Sequence, residues 1–447
     1  MQRFISKYAL AAHLALAAVA PLPLMRYFDG SLAATSMLWL SGFAFVWTLL
    51  SPSVFSGERM NDARRRILRS MFSDPLVWVM MLLVLVSGVR ALNGGIKMAY
   101  DAEAMIWSIA PASFPLLPGT VDGCGYLPFA VSFLVAVLMI ACRHALGKAA
   151  RMAFCFAASA FAGVFAVMEL LNAGAGASPA APAYGVYLLT GTIALAGAFE
   201  FRWNRIMLLF VFSIGANAAG LFAFSAPLAI VAFLAAELVV VGYVFFYTHA
   251  TLRQAAEFKL LVVFGISIAV GVFAALSLIP QEVLNSKVAS ILEWKLFEEN
   301  FFEVRGVLSD IAFRSWKVHP WLGSGLASFP LDVRFFATDD DWLILVSERS
   351  EALNGYWHIL AERGIVGVAM LALPLIILIV HFLIAMVRGI MAFRLPHPSA
   401  FIGILTLAAI VATAFFDVSF LRPEIMAAAA FALAVSTKSF PKERLDG

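Results

Sequence analysis

The sequence predicts an all-α, polytopic membrane protein with about twelve transmembrane helices and one large hydrophilic loop. Composition is the first observation: 62% of the 447 residues are hydrophobic and 13% charged, with mean hydropathy +0.92. A water-soluble domain carries far more charge. The second is the number of apolar segments long enough to cross about 30 Å of hydrocarbon as helix. They fall near 8–25, 32–50, 75–92, 126–142, 152–172, 185–199, 206–222, 227–247, 260–280, 364–386, 401–418 and 424–437. The third is the stretch 281–363, the one long hydrophilic excursion, which holds 13 of the 28 acidic and 8 of the 31 basic side chains. A loop of that size between two spans is usually functional. The chain thus divides into 1–280 with nine spans, the loop 281–363, and 364–447 with three spans and a tail.

Taken in order, the N-terminal apolar run is read as the first span, since no small-residue cleavage site follows it. Both termini then lie inside and the 281–363 loop outside. The distribution of Lys and Arg supports this orientation. Nineteen of the 31 fall on the inner side, and eight of the rest are in the long loop. The short outer loops hold only Arg26, Arg90, Lys97 and Arg422. The Arg59–Arg69 run reads as a topology anchor drawn to anionic headgroups rather than a nucleic-acid site. The outer segment 93–125 contains SFPLLPGTVDGCGY, whose prolines and glycines exclude a continuous helix. It is expected to fold over the outer mouth. Cys124, Cys142 and Cys155 have neither metal-binding nor redox spacing. Glu169 and Glu237 fall inside spans, where a carboxylate is costly and needs a partner or a function.

Within the loop, FFEVRGVLSDIAFRSWKV repeats Val304, Val307, Leu308 and Ile311 at helical spacing, an amphipathic helix able to lie on the outer membrane surface. Pro320 must end it, and Gly323 and Gly325 allow tight backbone turns. Arg305, Arg314, Lys317 and Arg349 supply cationic groups suited to phosphate oxygens. Arg305 and Arg314 are nine positions apart, so an unbroken helix points them in opposite directions. Further on, at about 100° per residue, Glu351, Asn354, His358 and Glu362 share one stripe about 80° wide. An imidazole one turn from a carboxylate can be oriented as a base.

These motifs, in this order, resemble the O-antigen ligase/O-antigen polymerase family of bacterial inner-membrane proteins. The family has about twelve spans and a late periplasmic loop. An arginine there precedes a segment like HPLLGVGLGNF, matched here by Arg305 and His319–Phe329. The loop's end in the family, HNxYLxxLxExGxxG, is matched by Leu353–Gly367, and LPGTVD at Leu117–Asp122 is similar to relatives. Two positions depart from the pattern. Leu353 stands where the family has a histidine, and Ser225-Ala226-Pro227 where it tends to have Ser-Arg.

The resemblance implies a GT-C-like helical fold and sugar transfer at the periplasmic face. The donor would be an undecaprenyl-diphosphate-linked glycan, and the acceptor lipid A–core or a polysaccharide. Membrane lipids would surround it, and neither metal, cofactor nor nucleic acid is expected. Arg305 and Arg314 are the expected diphosphate ligands, with Lys317, Arg349 and Asn354 also on substrate. His358, oriented by Glu362, is the expected base, and Gly323 and Gly325 shape the backbone. Two other readings stay open: a silent relative within a polysaccharide-assembly complex, and a secondary transporter or lipid flippase, the last suggested by Glu237 and Asn217.

Overall fold

The computed structural model describes residues 2–50, 60–101, 106–110, 120–121, 126–173, 180–200, 206–251, 254–295, 301–338, 341, 351–391, 398–416 and 422–436. The first helices are α1 (Gln2–Val19), α2 (Pro21–Tyr27), α3 (Gly30–Leu50), α4 (Met60–Phe72) and α5 (Pro75–Leu92). After a small sheet come α6 (Leu127–His144), α7 (Lys148–Ala173), α8 (Pro182–Glu200), α9 (Met207–Phe224), α10 (Pro227–Thr251) and α11 (Gln254–Leu278). The loop region supplies α12 (Gln281–Leu292), α13 (Phe301–Val318) and α14 (Phe329–Phe336). The chain then forms α15 (Gly355–Met391), α16 (Ser399–Ala414) and α17 (Pro423–Ser436).

Among the described residues, eight helical stretches are long and apolar enough to cross a membrane, which makes this a multi-pass helical membrane protein. Four shorter apolar stretches, Pro182–Leu195, Val262–Leu278, Phe401–Ala414 and Pro423–Ser436, coincide with the other four segments read from the sequence. The helix α8 is enclosed by the others: it is apolar on every side and its described residues are buried. Gly185 lets α10 come close, since a Cβ there would strike the Phe233 ring.

Polar groups inside the bundle find partners. Glu169 accepts a hydrogen bond from the Tyr184 hydroxyl at 2.7 Å and lies 3.6 Å from Arg26. Glu237 accepts from Thr192, while its Oε2 is buried without a partner. At its N-terminal end, α5 is capped by Asp74, which accepts from the Leu76 N–H and pairs with Arg143 and His144.

The segment 93–125, expected not to be a continuous helix, adds a small sheet to the helical architecture. It holds strands β1 (Gly94–Asp101), β2 (Ile106–Ala110) and β3 (Thr120–Val121) in the order β2-β1-β3. The first pair is antiparallel, with Lys97 opposite Ala110 and Asp101 opposite Ile106. Residues that cannot continue a helix must still pair their backbone groups, and strands do this. Here β2 runs beside α14. Most of the Leu117–Asp122 motif lies outside the described residues.

The loop helices have a core of their own, separate from that of the bundle. Val304, Leu308, Ile311 and Ala312 of α13 pack on Phe329 and Val333 of α14 and on Ala361 of α15. The apolar face of α13, readable as a membrane-surface stripe, is therefore covered by protein. The first loop helix, α12, packs on the bundle instead: Leu284 joins the bundle core, and Lys287 donates to the carbonyls of Phe222, Ala223 and Ser225 at the C-terminal end of α9. On the other side, α16 runs antiparallel to α15. Phe401 meets Phe382 at one end, and Phe415 meets Tyr356 at the other.

Candidate active site

The site begins with a flaw in α15. Gly364 has φ 63° and ψ −172°, so the helix breaks there. A break leaves carbonyls before it and N–H groups after it without helical partners. The turn after α13 supplies them. Ser324 and Gly325 donate N–H groups to the carbonyls of Ala361 and Glu362, at 2.8 and 3.1 Å. In return, Ile365 and Val366 donate to the carbonyls of Pro320 and Trp321, at 3.0 and 3.1 Å. Two glycines permit the close approach. A Cβ on Gly323 would fall on the backbone of Glu362 and Arg363, and one on Gly364 on the carbonyl of Trp321. Both have left-handed φ, which favours glycine. The motifs around Gly323 and Gly364, forty residues apart in sequence, are thus two halves of one backbone splice.

Above the break, Asn354 starts α15. Its Oδ1 accepts from the N–H groups of Tyr356 and Trp357, at 3.1 and 3.3 Å, which makes it an N-cap. One turn on, the buried His358 places Nε2 3.4 Å from Glu362 Oε1. That distance suits an ion pair and is long for a hydrogen bond. Glu362 Oε1 also accepts from the Phe329 N–H at 3.3 Å, and the Phe329 ring lies 5.1 Å from the imidazole. The other ring nitrogen, His358 Nδ1, is buried and unpartnered.

Behind this pair sits a hydroxyl network. Ser324 Oγ donates to Asp332 Oδ2 at 2.7 Å and contacts Ser328 Oγ at 2.5 Å. Asp332 has no exposed surface. Burial pushes its carboxyl up to about 7. The serine hydroxyls act against that shift and the nearby Glu362 charge adds to it.

In front is a cavity of about 310 Å³, lined by Glu351, His358, Glu362, Arg363 and Arg422 and floored by Leu83, Val131, Leu371 and Met426. Arg422 pairs with Glu351 at 2.7 Å. Arg90, 4% exposed near the C-terminal end of α5, donates to the Leu322 carbonyl at 3.0 Å and lies within electrostatic reach of Glu362 and Arg363. The Nε atoms of Arg90, Arg363 and Arg422 are buried without hydrogen-bond partners. Arg363 and Arg422 line the cavity, and Arg90 stands behind the lining within electrostatic reach of Arg363.

Other residues singled out from the sequence stand elsewhere. Arg305 donates to the Phe415 carbonyl and stacks over Phe416. Arg314 is bound to Asp310, Asp341 and the Phe336 carbonyl. The intervening helix is unbroken, so they face apart, and neither lines the cavity. Lys317 lies over the Phe313 ring at 4.2 Å. Arg349 lies outside the described residues. Arg90, Arg363 and Arg422 were not picked out as site residues, although the sequence carried a signal for two of them. Arg90 and Arg422 are among the four basic residues that break the positive-inside pattern, and a third, Arg26, pairs with Glu169.

No family model matches this chain, and no curated protein matches it either.

Proposed function

We propose that this protein is a membrane glycosyltransferase of the O-antigen ligase/polymerase type. It would move an undecaprenyl-diphosphate-linked glycan onto a lipid A–core or polysaccharide acceptor at the periplasmic face of a bacterial inner membrane. In this reading the four shorter apolar helices also cross, giving twelve spans. The observation that carries the proposal is the cavity itself. A histidine–carboxylate pair and unpartnered guanidinium nitrogens meet above an apolar floor, where the bundle joins the loop unit. The sequence resemblance supplies the identity of the donor and acceptor.

The roles follow from atoms. With Nε2–H directed at Glu362, the basic lone pair of His358 is on Nδ1. There it accepts the proton of the acceptor hydroxyl as that oxygen attacks the anomeric carbon. Glu362 stabilises the imidazolium that forms. The bond from the anomeric carbon to the diphosphate oxygen breaks, and the charge left on the lipid diphosphate falls to Arg363 and Arg422, with Arg90 adding its field from behind the lining. Arg305 and Arg314, already committed to protein partners, act in holding α13.

The test is the lipid-linked glycan profile of a deletion strain, complemented in turn by wild type and by His358→Ala. A general base contributes on the order of 100-fold or more. His358→Ala should therefore cut surface glycan about 100-fold and leave lipid-linked donor accumulated. Full rescue by His358→Ala would remove this residue from the chemistry.

A further inference from the structure

The break at Gly364 also fixes a depth. The apolar stretch Gly355–Ile384 has 30 residues, about 45 Å of helix at 1.5 Å per residue, against about 30 Å of hydrocarbon. Its outer part, with the buried His358 and Glu362, belongs to the loop unit. Below the break the helix changes character. Ile365 and Val366 are exposed, and Leu373, Ile376, Val380, Leu383 and Val387 continue an exposed apolar stripe down the same side. From Ile365 to Val387 the rise is about 33 Å, one hydrocarbon thickness. At the top of this stripe, joined to Val366 by a backbone hydrogen bond, sits Trp321, 67% exposed. Nothing else in the 319–325 turn is a large exposed apolar side chain.

We propose that Trp321, with Ile365 and Val366, is inserted into the headgroup–acyl boundary of the outer leaflet and sets the depth of the site. Tryptophan belongs at that boundary, since its ring is apolar and its N–H needs a polar neighbour. The partner is a lipid surface, because the patch is continuous with the lipid-facing stripe of α15. With Ile365 at the edge of the hydrocarbon, Glu362 stands about 4.5 Å further out, within the headgroup layer, and His358 about 10.5 Å out, just beyond it. A phosphate attached to a membrane-held lipid therefore meets the pair from the headgroup side. The inference concerns depth alone and stands whether or not sugar is transferred.

The test is tryptophan quenching in phosphatidylcholine vesicles brominated either near the headgroup or deep in the chain. Ten tryptophans contribute, so Trp321 is isolated as the difference between wild type and Trp321→Phe, with Trp321→Tyr as a second, more polar replacement. The expected difference signal is blue-shifted, several-fold more quenched by shallow than by deep bromines, and little affected by aqueous iodide. A signal quenched by iodide and by neither lipid would put the turn in water and overturn the proposal. Stronger quenching by deep bromines would overturn it as well, by placing the splice within the hydrocarbon.

Discussion

At the residue scale, the site depends on which buried acid carries charge. Asp332 and Glu362 lie close enough to raise the cost of ionising both. Glu362 has His358 beside it, whereas Asp332 has only serine hydroxyls among its described hydrogen-bond partners. Because Asp332 titrates at about 7 when folded and at 3.8 by itself, the unfolded chain loses this proton first as pH rises. Its contribution to stability therefore falls between pH about 4 and 7 and is constant outside that window. At about 1.4 kcal/mol per unit, the loss is a few kcal/mol. Asp332→Asn should flatten this part of the pH–stability curve in detergent and raise the thermal midpoint at pH 8. An unchanged slope would show that Asp332 is ionised throughout. The residue reading from sequence was partial. His358 and Glu362 were legible because a helical period relates them. Asp332 was not, because it reaches the site only through the fold.

At the element scale, the governing feature is the splice between the turn 319–325 and the break in α15. Gly364→Ala would place a Cβ on the Trp321 carbonyl at a left-handed φ. With ψ near 180° this conformation is essentially confined to glycine, so the backbone term alone is about 1–3 kcal/mol, and the collision adds to it. A loss of about 3 kcal/mol or more is expected by chemical denaturation in micelles, with new protease cleavage in 319–325. Tolerance of alanine at full stability would mean that the break is not held by the turn. The anchor at Lys287 is a milder case. Lys287→Met removes a charged donor from three carbonyls at the end of α9, which should cost about 1.5–3 kcal/mol. Equal melting of Lys287→Met and wild type would rule out that tie. Helical periodicity showed α13 and its apolar face of Val304, Leu308 and Ile311, expected to lie on the membrane surface. It could not show what covers that side, since α14 and α15 supply the cover from other parts of the chain.

At the scale of the whole molecule, the open matter is how many helices cross. Phe401 of α16 lies beside Phe382, and Phe415 beside Tyr356, so α16 runs along α15 toward the loop unit. Alkaline phosphatase fused after Pro398 should be inactive and after Arg422 active, as one crossing between them requires. Equal activity at both points would take α16 out of the count. The apolar segments, their order and the long loop were determined by the sequence itself, because hydropathy and helical period are local properties of a chain in a membrane. So were the one-turn spacing of His358 and Glu362 and the glycines that turn the backbone. Glu351, by contrast, lies before the helix, which starts at Gly355 after a left-handed Leu353, and is not part of a helical stripe with them. Only the tertiary structure decided which cations stand near that pair. Arg363 in α15 and Arg422 just before α17 line the cavity and Arg90 of α5 comes within reach of Arg363, while Arg305 and Arg314 are turned elsewhere by the faces of α13. Spacing along one helix is written in the sequence, whereas convergence between helices depends on how their faces pack.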